Sequence, residues 1–183
     1  MYEYYSNPKS YINLKKLFDL RLKAIIPDFK LYKDAKEFFT PEDFKSFEEK
    51  LLKKLNDNNK DYFSMGITTI DETLSKIYFE KQDYEKLFKI AQKNIQLLQK
   101  YETKLVNLYP EKYLKEYIQK VSSLISYRGR ENYKNAIPFI KGVKKIYSSV
   151  LKNDEKWREY IYNIKESNSK LKALQEELKK ASL

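Results

Sequence analysis

Cysteine and histidine are both absent from the 183 residues. Their absence removes the usual ligands of zinc, haem and iron–sulfur centres. It also removes the thiol nucleophile and the commonest general base. Catalysis would have to rest on carboxylates, lysine, tyrosine or serine. Without cysteine there is no disulfide, and no indication of compartment from that source. Glycine (three) and proline (five) are scarce, which suits long helices with short connections and suits β-turns poorly. No run of about 18 uncharged apolar residues occurs, so no membrane span is expected. Residues Met1 to Tyr11 lack a basic segment followed by an apolar one. No signal peptide is therefore expected, and the expected compartment is the cytoplasm. There is no glycine-rich phosphate loop, EF-hand or nucleophile motif. Neither an enzyme nor a cofactor is expected.

What is present points to helices. The chain is 42% hydrophobic, enough for a core and too much for wholesale disorder. Leu, Lys, Glu and Gln, all good helix formers, dominate many windows. The net charge of +11 is unevenly spread. Residues 121–183 hold 14 Lys+Arg against 7 Asp+Glu, while 61–120 hold 10 against 9.

Asn7 before Pro8 predicts a helix start. Tyr11, Leu14, Leu17, Phe18, Leu22 and Ile25 continue it at helical spacing until Pro27. Residues 28–39 predict a short helix. Thr40-Pro41-Glu42-Asp43 predicts a capped start. Phe44, Phe47, Leu51, Leu52 and Leu55 form the stripe behind it, and Asn56 to Asn59 read as a loop. Helices follow over 61–81, with Ile67, Ile70, Leu74, Ile77 and Tyr78 inward, over 84–93 behind an Asp83 cap, and over 95–108. Tyr109-Pro110-Glu111 restarts the chain. Tyr113, Leu114, Tyr117, Ile118, Val121, Leu124 and Ile125 then make a wide apolar face, and Gly129 is the expected stop. A helix over 131–151 carries Tyr133, Ile137, Ile140, Val143, Tyr147 and Val150, with Pro138 expected to kink it or shift its start. Asn153-Asp154 caps a helix with Trp157, Tyr160, Ile161 and Ile164 inward. Ser169 opens the last, through Leu171, Leu174 and Leu178. The expectation is all-α: nine or ten helices in antiparallel pairs, forming a short α-solenoid or irregular bundle, as one helical-repeat domain over 1–183. No linker long enough to split domains is visible.

The stretch from Leu74 through Tyr78 and Asp83-Tyr84 to Leu87 resembles the turn of a tetratricopeptide-like helix pair. An apolar helix ends near a tyrosine, a polar turn follows, and a second helix opens on Asp-Tyr. Tyr109-Pro110-Glu111-Lys112-Tyr113, Tyr127-Arg128-Gly129-Arg130-Glu131-Asn132-Tyr133, Trp157-Arg158-Glu159-Tyr160-Ile161 and Ala173-Leu174-Gln175-Glu176-Glu177-Leu178 follow. In that order, residues 40–183 resemble the helical C-terminal region of bacterial SWIM-type zinc-finger proteins, with residues 1–39 as extra N-terminal helices. The family's zinc finger lies upstream and needs cysteines and a histidine. This chain has neither, so no metal function carries over. The resemblance implies a repeat-type helical arm.

The sharpest local feature is residues 120–152. Lys120, Arg128, Arg130, Lys134, Lys141, Lys144, Lys145 and Lys152 face a single acid there, Glu131. At ~100° per residue, Lys134, Lys141, Lys145 and Lys152 fall within ~20° of one line, away from the apolar stripe. Such a line would contact phosphates, and an exposed Tyr127 or Tyr133 would stack a base. The simpler account is a solvated face of a lysine-rich protein. Only four of the 37 basic residues are arginines, and arginine is the better bidentate phosphate ligand. Arg128 and Arg130 suit the negative end of the helix before them. The start of the next helix disfavours them unless an acidic side chain or a partner anion is near. The adjacent carboxylates Glu48-Glu49, Asp71-Glu72 and Glu176-Glu177 point in different directions and read as solvated charge. The tyrosines and Trp157 read mostly as core. The functional expectation is a non-catalytic module that binds a protein or peptide partner, with Lys120, Arg128, Arg130, Lys134, Lys141, Lys145 and Lys152 as candidate anion- or partner-binding residues. The alternative is a nucleic-acid-binding module using residues 120–152.

Overall fold

The computed structural model describes residues 8–60 and 69–183. They form eleven α-helices and one π-helical turn, with no strand among the described residues. The backbone gathers into two compact units, Met1–Tyr101 and Glu102–Leu183. No glycine or proline marks the division at Tyr101.

The first unit contains α1 (Pro8–Ala24), α2 (Phe29–Phe38), α3 (Pro41–Lys60), α4 (Thr69–Glu80), α5 (Tyr84–Ala91) and α6 (Ile95–Lys100). Helix α4 packs on α2, α3 and α5. Leu31, Leu51, Leu55, Leu74 and Ile77 are fully buried there, each worth about 2 kcal/mol of apolar transfer. Side chains tie α1 down. Phe18 lies 4.9 Å from the Phe39 ring and 5.8 Å from Phe47. The Tyr11 hydroxyl donates to Asp43 (2.8 Å) and accepts from the Thr40 amide (3.0 Å). Lys54 reaches the end of α1 and donates to the carbonyls of Lys23 (3.0 Å) and Ile25 (2.8 Å), and to that of Leu22. A cation there satisfies orphan carbonyls and complements the helix dipole.

The second unit contains α7 (Glu102–Leu105), α8 (Pro110–Ser126), α9 (Arg130–Lys145), the π-turn (Ile146–Val150), α10 (Asp154–Ser167) and α11 (Lys172–Lys180). Helices α8 and α9 form its central pair, and α9 also carries α11. Gly142 makes the close approach of α8 and α9 possible. A Cβ there would sit 2.6 Å from Cε2 of Tyr117. Tyr117 is buried, and its hydroxyl donates to Glu102 at 2.6 Å. Burial raises the Tyr117 phenol pKa, and the Glu102 hydrogen bond and charge push it further.

Several boundaries differ from the sequence expectation. Residues 56–59 are helical, not a loop, because α3 runs on to Lys60. Asn56 supports that turn by donating to the Leu52 carbonyl at 2.9 Å. The helix expected over 95–108 breaks at Tyr101, which brings the count to eleven. The buried Tyr101 packs at 5.4 Å on Phe79 and shares a 3.2 Å hydrogen bond with Ser75, so tertiary contacts set that break. The last helix opens at Lys172 rather than Ser169. Pro138 lies inside α9, whose start stays at Arg130. Asp83 caps α5 at the Lys86 amide (3.2 Å), and Asn153 caps α10 at the Lys156 amide (3.0 Å), both as expected. The readings placed on Asn7 and Ile67 lie outside the described residues.

Scarce glycine shows at the helix ends. Gln82, Arg128, Lys152 and Ser182 take φ of 56°, 54°, 53° and 57°, the left-handed position usually given to glycine. After α4, the Asp83 amide bonds the Tyr78 carbonyl (2.9 Å) and the Gln82 amide bonds that of Phe79 (3.1 Å). That is the Schellman pattern built on glutamine. After α8, Arg128 takes this position, one residue ahead of the stop expected at Gly129.

Candidate functional site

The basic segment 120–152 spans α8, α9 and the π-turn. The structure disperses it. Lys134, Lys141 and Lys145 stay exposed on α9, which ends at Lys145. Beyond it the hydrogen bonding widens, with the Leu151 amide bonding the Ile146 carbonyl at 2.9 Å. Lys152 then follows in a left-handed conformation. The expected line of four lysines therefore loses its last member, because a π-turn breaks the 100° progression on which the line depended.

Acids inside the same unit meet three of the candidates. Arg130 pairs with Glu176 and lies 3.6 Å from Glu177, both on α11. Lys134 lies 3.4 Å from Glu131. Lys145 binds Glu102 at 2.9 Å, the carboxylate that also accepts from Tyr117. Glu176 and Glu177 supply what Arg130 at the start of α9 needs. The Glu177 carboxyl is held below its usual range by the Lys180 hydrogen bond, with Arg130 and Lys134 adding to it. Lys144 lies 5.7 Å over the Trp157 ring. Tyr133 is buried and so unavailable for stacking, whereas Tyr127 is 75% exposed.

Lys120, Arg128, Lys141 and Lys152 make no ion pair among the described residues. Arg128 alone of these lines a groove, of about 440 Å³. Ser122, Ile125 and Ser126 from α8 form one wall; Ile164, Asn168 and Leu171 from the end of α10 and the turn after it form the other. Ile125, Ile164 and Leu171 make the lining partly apolar, and no acid lines it. The second wall is braced. Asn168 donates to the Ile164 carbonyl (2.8 Å), and the Gln175 side-chain Nε2 donates to the carbonyls of Lys165 (3.1 Å) and Asn168 (3.0 Å). A volume of this order takes a few side chains of a bound segment.

Sequence reasoning found Arg128 and missed the wall it faces. Ile164, Asn168 and Leu171 lie some 40 residues further on, and no local pattern links them to Ser122. The one available signal was apolar character beyond what the fold buries: Ile164 on α10 and Leu171 in the turn after it stay only half-buried.

No group of three or more Asp or Glu side chains able to hold a metal ion occurs among the described residues. No helix among them is long and apolar enough to cross a membrane. No family model, curated protein or solved structure matches the chain.

Proposed function

We propose that the chain is a non-catalytic helical interaction module that seats a short segment of a protein partner in the groove between the ends of α8 and α10. The observation that carries this is a partly apolar groove in which the unpaired Arg128 is the one charged residue among the described lining residues. Its chemistry suits an extended segment with an apolar side chain beside a carboxylate. Ile125, Ile164 and Leu171 take the former, and a guanidinium binds the latter in bidentate fashion. The reading includes the tetratricopeptide-like pairing suggested by residues 74–87, supported by the α4–α5 hairpin closed at Gln82. It includes the likeness to the helical region of SWIM-type proteins and a cytoplasmic setting.

A second reading, nucleic-acid binding through residues 120–152, keeps one observation in its favour. Lys120, Lys141 and Lys152 remain unpaired, and Tyr127 is exposed. Two titrations of the same chain separate the two. One follows the methyl NMR signals of Ile125, Ile164 and Leu171 while acidic–apolar hexapeptides are added, with Arg128→Gln as the control. The other uses labelled duplex and single-stranded oligonucleotides at two salt concentrations, with a Lys120→Glu/Lys141→Glu variant. The proposal expects saturable methyl shifts that weaken about tenfold in Arg128→Gln. Oligonucleotide binding near physiological salt, lost in the double variant and without methyl shifts, would replace it with the second reading.

A further inference from the structure

Helix α1 buries one apolar face in the fold and leaves two leucines exposed on the side away from it. Phe18 and Leu22 are buried, with Leu14 half-buried beside them. On the other side Asn13, Leu17, Leu20 and Ala24 are all exposed, Leu17 by 53% and Leu20 by 62%. Isolated exposed leucines are ordinary surface. These four residues are spaced by four, three and four, which is the alternation of a coiled-coil seam. Lys16 and Lys23, seven residues apart, each stand one position before a seam residue, at the place that governs partner charge in such pairs. Both are exposed and make no ion pair among the described residues.

We propose that this outer face of α1 docks one acidic amphipathic helix of a partner protein, side by side. The partner presents an apolar seam to Leu17 and Leu20, and carboxylates about seven residues apart to Lys16 and Lys23. The charges argue against a second copy of this chain. A parallel pair would set Lys16 opposite Arg21, and an antiparallel pair would set lysine opposite lysine, so both arrangements place like charges together. The surface belongs to the first unit and the groove at Arg128 to the second, with no residue in common, so either proposal survives the failure of the other.

The test uses the full chain and two labelled synthetic helices of about 28 residues, with Leu at every seam position. One carries Glu at all flanking positions and the other Lys, which keeps each peptide from pairing with itself. Fluorescence anisotropy should show binding of the Glu helix and at least about tenfold weaker binding of the Lys helix. Lys16→Glu/Lys23→Glu should invert that preference. Leu17→Gln/Leu20→Gln should abolish binding of either helix while leaving the thermal melt unchanged, because both side chains are exposed. Arg128→Gln should leave binding unchanged. Equal binding of both helices overturns the proposal, as does binding indifferent to the leucine pair. So does self-association in the ultracentrifuge that depends on Leu17 and Leu20. Partition onto phosphatidylserine vesicles, lost with the same substitutions and without helix binding, would overturn it in favour of a lipid surface.

Discussion

Helices α1 and α9 are both lysine-rich, each with five cations against one acid, so charge alone does not tell them apart. The structure separates them. Around α9 the cations are largely spoken for: Arg130 by Glu176 and Glu177, Lys134 by Glu131, Lys145 by Glu102. Its apolar face is closed against Tyr117 at Gly142. Helix α1 carries the same number of charges, yet Lys16 and Lys23 stand free beside exposed leucines. A basic stretch marks an interface only where the surrounding fold leaves it unneutralised, and apolar exposure beside the charge is the more discriminating signal.

The sharpest way to break this comparison is to unseat α9. Gly142→Leu should unfold the second unit, and Gly142→Ala should lose about 2 kcal/mol, because the buried Tyr117 ring must move. In an open helix the same alanine would gain about 1 kcal/mol, so the sign measured by urea denaturation decides whether the close approach is real. The counterpart in the first unit is Lys54→Met. It leaves three carbonyls at the end of α1 without their donor and should cost about 1–2 kcal/mol. It should also raise amide exchange in the last turn of α1 and not in α9. Smaller and opposite in sign, Lys152→Gly should gain about 0.5–1 kcal/mol by relieving a left-handed lysine after the π-turn. The smallest effect is on pH dependence. The Asp43 carboxyl is held below its usual range by the Lys15 hydrogen bond and then by that of Tyr11. Its contribution is complete above the unfolded value of about 3.9 and is lost as pH falls through the lower folded value. Asp43→Asn should therefore flatten the loss of thermal stability between about pH 4 and 2 relative to the parent chain.

Much of the fold was legible because its signals are local. The caps at Thr40, Asp83 and Asn153 and the restart at Pro110 are each read from a few neighbouring residues. The loop wrongly read at residues 56–59 shows the limit of composition: asparagines favour turns, but Leu55 is fully buried and the helix beneath it continues. The helix end at Arg128 rather than Gly129 is a similar case, since arginine accepts the left-handed position when the packing of the next helix requires it. The candidate site was only partly legible. Arg128 stood out by charge, whereas Ile164 and Leu171 became its neighbours only through the path of α10.

The sequence by itself determined that this protein is helical and roughly where its helices begin. Periodicity, caps and the scarcity of glycine and proline act within a turn or two of the chain. Tertiary structure alone decided which lysines are neutralised, that Gly142 lies beneath Tyr117, and which face of α1 is left open. Those outcomes depend on residues far apart in sequence meeting at contact distance, where charge pairing and packing are short-ranged and no local pattern records the partner.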